Sequence, residues 1–207
     1  MLARSGAGVR RAGALAIICL GLSGCASGSA PAHRTDAIRA LEREARPIGH
    51  GARFHEAVTG RVDGPCRRRL GPRTDAHVEL FAANRVVLIP AGIGVRGPVS
   101  HLDGRITRAR CYGDVVTLDP TGVVLVRPGT HLTLQNLFSG WGQPLSRNRL
   151  AAFSAAPGRQ VRIYVNGRRC RGKAAAVRLT RHAEIVLEVG PYVRPHSSFT
   201  FAEGATH

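Results

Sequence analysis

The segment Val161-Arg162-Ile163-Tyr164-Val165-Asn166-Gly167 constrains the fold more than any other stretch. Val161, Ile163 and Val165 alternate with Arg162 and Tyr164, the period-two pattern of a strand that lays one face on a core. Asn166-Gly167 then supplies two residues that accept positive φ at low cost, as a type I′ hairpin turn requires. A lone hairpin is marginal in water, so a chain that folds back here needs more strands around it. The sequence offers them. "HVELFA" (77–82) and "RVVLIP" (85–90) flank Ala83-Asn84 as another hairpin. "VELFAANRVVLIPAG" and "VRIYVNGRRCRG" thus read as two versions of one strand-turn-strand unit, although no repeat is exact. "ARCYGDVVTLD" (109–119) and "TGVVLVRP" (121–128) form a further pair across the turn residues Asp119 to Gly122.

Between Val177 and Val189 the alternation is longest. Val177, Leu179, Ala183, Ile185, Leu187 and Val189 share one face; Arg178, Thr180, His182, Glu184 and Glu188 share the other. Arg181 falls out of step inside the apolar series. This predicts one long antiparallel strand with a solvated face. Helical spacing occurs twice. Leu134, Leu137, Phe138 and Trp141 follow Thr133 as a candidate N-cap, predicting a helix near 133–140 that Gly140 to Pro144 terminate. Residues 36–46 carry Ile38 and Leu41 on one face, with Pro47 as the stop. The expected class is mainly β (α+β): antiparallel strands and hairpins with two short helices, as one domain over 75–203 or as two small lobes, 75–128 and 129–203. Residues 35–74 hold the short helix and an irregular Gly-, Pro- and Arg-rich segment.

The N-terminus carries an address. Arg4, Arg10 and Arg11 precede the apolar run Ala12 to Leu22, which is too short for a membrane-spanning helix of about 20 residues and fits an export signal. Leu22-Ser23-Gly24-Cys25 resembles the lipobox of bacterial lipoproteins. That resemblance implies that residues 1–24 are removed and that Cys25 receives the lipid. Residues 25–34 then form a flexible tether, leaving the chain exported and anchored on the outer face of the cytoplasmic membrane.

Removing three arginines with residues 1–24 lowers the net charge from +17 to +14. Nucleic acid is a poor match for this charge. Only Lys173 among 30 basic residues is a lysine, aromatic residues make up 5%, and base stacking needs aromatic platforms. The signal also directs the chain out of the cytoplasm. Anionic lipid headgroups or envelope polymers are the partners the charge favours. Export permits disulfides. Of the cysteines beyond the signal and anchor, Cys66 and Cys111 each flank a strand pair and are expected to bridge, leaving Cys170 over.

Enzyme motifs are missing: no G-x-S-x-G elbow, no H-E-x-x-H pair and no phosphate-binding loop occurs. Ser100, His101 and Asp103 in "GPVSHLDGR" read as a polar turn. The expectation is a non-enzymatic protein without a cofactor.

"AHVELF", "PAGIG", "DPTGVVLV", "LQNLFSGWGQPLS", "VRIYVNG" and "RHAEIVLEVGP" together resemble a family of uncharacterised exported bacterial proteins, over roughly residues 75 to 201. Members carry His-x-His before the first strand and a Cys…His-Thr-His-Asp segment before "TGV", a histidine supply suited to copper or zinc. This chain departs there. Asp75 stands at the first histidine position, with His77 at the second; Val116 and Leu118 stand at two more, beside Cys111 and Asp119. His182 matches a histidine of the last strand. The resemblance implies Asp75, His77, Asp119 and His182 as the donor set of a weak copper or zinc site that has lost most of its histidines. His77 is otherwise expected to be the polar first residue of a strand.

Overall fold

The computed structural model describes residue 57 and residues 61–201. The expected signal, the Cys25 anchor, the tether and the helix at 36–46 lie outside the described residues. All the described residues belong to one compact unit, Ala32–His207.

Among the described residues, eleven strands and one α-helix follow in order. They are β1 (Thr74–Ala82), β2 (Arg85–Val87), β3 (Val95–Leu102), β4 (Arg105–Tyr112), β5 (Val115–Val116), β6 (Val123–Val126), α1 (Leu134–Trp141), β7 (Arg149–Leu150), β8 (Phe153–Ser154), β9 (Arg162–Val165), β10 (Arg168–Cys170) and β11 (Glu184–Val189). The main sheet has seven strands in the order β10-β9-β11-β1-β6-β5, with β2 also paired to β1. It draws strands from both 75–128 and 129–203. The fold is mainly β, as the alternation indicated.

Both expected hairpin turns form. Ala83 and Asn84 have φ of 51° and 64°, and Asn166 and Gly167 have 51° and 73°, the positive values a type I′ turn demands. α1 starts after Thr133, whose N–H donates to Asn136 Oδ1 at 2.9 Å. It ends at Gly142 in the left-handed region, where a residue without Cβ is least strained. Its Leu134, Leu137, Phe138 and Trp141 are buried on one face of the sheet. They meet Ala76, Val78 and Leu80 of β1, Ile185 and Leu187 of β11, and Ile163 of β9 in one cluster. Each such side chain contributes about 1.5–3 kcal/mol on burial.

Three expectations need correction. The long strand 177–189 is only β11. Its upstream half ends in a turn, with Ala183 N–H donating to Thr180 O at 3.1 Å and His182 at φ 57°. Its central partner is β1 in parallel register, while β9 pairs with it antiparallel. The other face of β11 is not solvated, because Glu184 and Glu188 are 1% and 0% exposed. The polar turn around Ser100, His101 and Asp103 is most of a hairpin: β3 and β4 pair across Asp103-Gly104. The segment 109–112 consequently belongs to that hairpin, and only β5 pairs with β6.

The Cys66–Cys111 disulfide is present and Cys170 is free and half-buried. The bridge ties the segment before β1 to β4, where Arg67 and Tyr112 exchange backbone hydrogen bonds. "PAGIG" is a turn that seats Ile93 in the core. Thr117 Oγ1 donates to Pro90 O at 2.7 Å and accepts from Ile93 N–H at 3.0 Å. At Gly94, φ is +68° and a Cβ would collide with Val115 O, so only glycine fits this approach. Val116 and Leu118, at the histidine positions of the resembled family, pack with Val95, Ile106, Tyr112 and Leu125 beneath the β3–β4 hairpin. Among the described residues no helix is long and apolar enough to cross a membrane.

Candidate functional site on the second face of the sheet

Strand geometry sends alternate residues of β1 to opposite faces. Ala76, Val78 and Leu80 enter the core, so Asp75, His77, Glu79 and Phe81 occupy the second face. The parallel register sets His77 beside Glu184 and Glu79 beside Val186. Apolar packing borders this polar stripe on both sides. Val116 and Leu125 lie under the β3–β4 hairpin on one side. Phe81, Tyr164 and Val186, with Val193, form a small cluster on the other.

His77 is therefore not the polar beginning of a strand. It is the fourth residue of β1, 5% exposed and flanked by β11 and β6. Its Nδ1 lies 2.7 Å from Glu184 Oε2 and its Nε2 lies 3.0 Å from Thr121 O. Acceptors thus face both ring nitrogens, whereas a neutral imidazole donates from only one. Gly122 permits this approach: at φ +80°, an added Cβ would stand 2.6 Å from Val78 O and 2.9 Å from His77 Nε2.

The chain after β11 folds back as a strap over this face. Phe199 stacks on His77 with centroids 3.8 Å apart, and Phe201 stacks on His182 at 4.8 Å. His196 Nδ1 lies 2.7 Å from Glu79 Oε2. Arg162 on β9 donates through Nε to Glu188 Oε2 at 2.9 Å and through Nη2 to Pro191 O at 2.7 Å. Burial, reinforced by the Glu188 charge, raises the Tyr164 phenol above its usual pKa.

The four donors implied by the family resemblance do not gather. Asp75 pairs with His182 at 3.3 Å. Asp119 accepts from Arg105 Nη1 at 2.6 Å and from Thr121 Oγ1. His77 faces Glu184 instead. Among the described residues, the set of three whose donor atoms all lie within 4.8 Å of one another is His77, Glu79 and Glu184. Sequence reasoning passes over Glu79 and sets Glu184 in solvent. The available signal is the run of polar residues at 75, 77 and 79, since three polar positions on one face of a central strand need partners.

The outer surface has a separate character. Asp103 is the one exposed carboxylate among the described residues, against eighteen exposed arginine and lysine side chains. The other seven carboxylates among the described residues are buried or half-buried. A groove of about 640 Å³ opens on this surface. Arg147, Arg171 and Lys173 contribute its cations, over an apolar floor that includes Leu145, Val161 and Ile163. Ser146 at its edge donates to Asn148 Oδ1 at 3.0 Å, and neither a histidine nor a carboxylate lines the groove. No protein-family model, no curated protein and no solved structure matches this chain.

Proposed function

We propose that this chain is a lipid-anchored envelope protein, tethered through Cys25, that acts as a non-enzymatic binding module and docks its cationic surface on the anionic headgroups of its own membrane. The observation that carries this reading is the sorting of charge: carboxylates are turned inward and cations outward, with Asp103 as the sole exposed acid among the described residues. An unbalanced surface of this kind attracts an anionic leaflet, each nearby Arg or Lys being worth about 1 kcal/mol. The groove supports the reading, because cations at its edge and an apolar floor suit a phosphate-bearing headgroup on a hydrocarbon stem.

Residues 32–207, the compact unit without its anchor, should co-sediment with vesicles containing phosphatidylglycerol and not with phosphatidylcholine alone. The bound fraction should fall steeply as salt is raised, since exposed charges are screened within about 8 Å at physiological ionic strength. Equal binding to both vesicles, or binding indifferent to salt, would sink the proposal.

A further inference from the structure

The polar stripe holds a second feature, independent of the cationic surface. Glu184 is 1% exposed, yet only its Oε2 meets His77; Oε1 is buried without a hydrogen-bond partner. A half-satisfied buried carboxylate is costly. Glu79 adds a second carboxylate, its side chain 19% exposed, with donor atoms of all three residues within 4.8 Å of one another. His196 approaches Glu79 from the strap, but hydrogen bonds Glu79 alone and leaves Glu184 Oε1 as it is.

We propose that His77, Glu79 and Glu184 form a binding site for one divalent first-row transition ion of the zinc type. Three arguments converge. The first is geometric. Donors bound tetrahedrally at about 2.1 Å lie roughly 3.4 Å apart, so small side-chain rotations bring the present set to coordination distance. The second concerns the ring. When Nε2–H donates to Thr121 O, the tautomer is fixed and the Nδ1 lone pair points to the carboxylates, as an outer hydrogen bond does for a ligating histidine. The ion then replaces the hydrogen that Nδ1 would otherwise need against Glu184. The third is charge. Two carboxylates and a divalent ion are neutral together, and Glu184 Oε1 acquires the partner it lacks. The imidazole nitrogen favours zinc-like ions over magnesium or calcium, which prefer all-oxygen shells. Phe199, stacked on His77 from the strap, covers the imidazole ring. Glu79, on the less buried side, is the point of entry, where its hydrogen bond to His196 would give way to the ion.

The test is calorimetric titration of the full chain, purified in detergent, with zinc chloride, alongside Glu79→Gln and His101→Ala. His101 is exposed on β3 and stands for surface histidines in general. One-to-one saturable binding is expected, weakened at least tenfold by Glu79→Gln and unchanged by His101→Ala. X-ray absorption of the zinc-loaded wild type supplies a reading that needs no variant to fold. Nitrogen and oxygen scatterers at about 2.0–2.2 Å are expected, without sulfur near 2.3 Å. Absence of saturable binding, equal binding by Glu79→Gln, or a sulfur shell indicating a cysteine ligand would each overturn the proposal.

Discussion

The two faces of the central sheet are made by the same strands and solve opposite problems. On the first, Val78, Leu80, Ile185 and Leu187 meet α1, and packing alone satisfies every side chain. On the second, His77, Glu79, Glu184 and Glu188 are set among Phe81, Val186, Leu125 and the strap, so each polar group depends on one or two particular partners. The difference teaches that burial is decided by what covers a face rather than by the composition of the face. An apolar face makes its own core. A polar face becomes interior only when hairpin and strap close over it, and its buried pairs must then offset the cost of leaving water.

The contrast can be broken experimentally, beginning with the apolar face. Phe138→Ala leaves a cavity beneath the sheet and should cost about 3–5 kcal/mol, read as a lower urea midpoint with unchanged slope. On the polar face Glu184→Ala strands His77 and should cost about 3 kcal/mol, whereas His77→Leu combined with Glu184→Leu should recover most of that loss, because an apolar pair needs no partner. If the double variant is as unstable as the single one, the polar face is held by something other than this pair. The smallest effect belongs to the strap. Phe199→Ala removes the ring stacked on His77 and should cost about 1 kcal/mol, with faster cleavage near residue 199 in limited proteolysis and little change at α1.

Several elements are legible in the sequence because their signals are local. Asn166-Gly167 names its turn, Ala83-Asn84 follows the same logic, and α1 shows both its stripe and its start at Thr133. The pairing of Cys66 with Cys111 follows from their positions beside strands. The hairpin β3–β4 escapes because Gly97 and Pro98 interrupt β3 and much of both strands is exposed, leaving no alternation to detect. The over-long strand carries its own warning. Arg181, out of step inside the apolar series, lies in the turn that ends the upstream segment and delivers His182 to Asp75.

The candidate site is half visible. His77 is identifiable as chemistry-bearing, but its partners lie 107 residues away at Glu184 and 117 beyond Glu79 at His196, and no local pattern spans such distances. Local sequence determined the hairpins at Ala83-Asn84 and Asn166-Gly167 and the helix α1, since propensity and periodicity act over a few residues. Only tertiary structure decided that β1 takes β11 as a parallel neighbour and that a strap covers the polar face. Those choices turn residues with the alternation of a solvated surface into a buried cluster of charge.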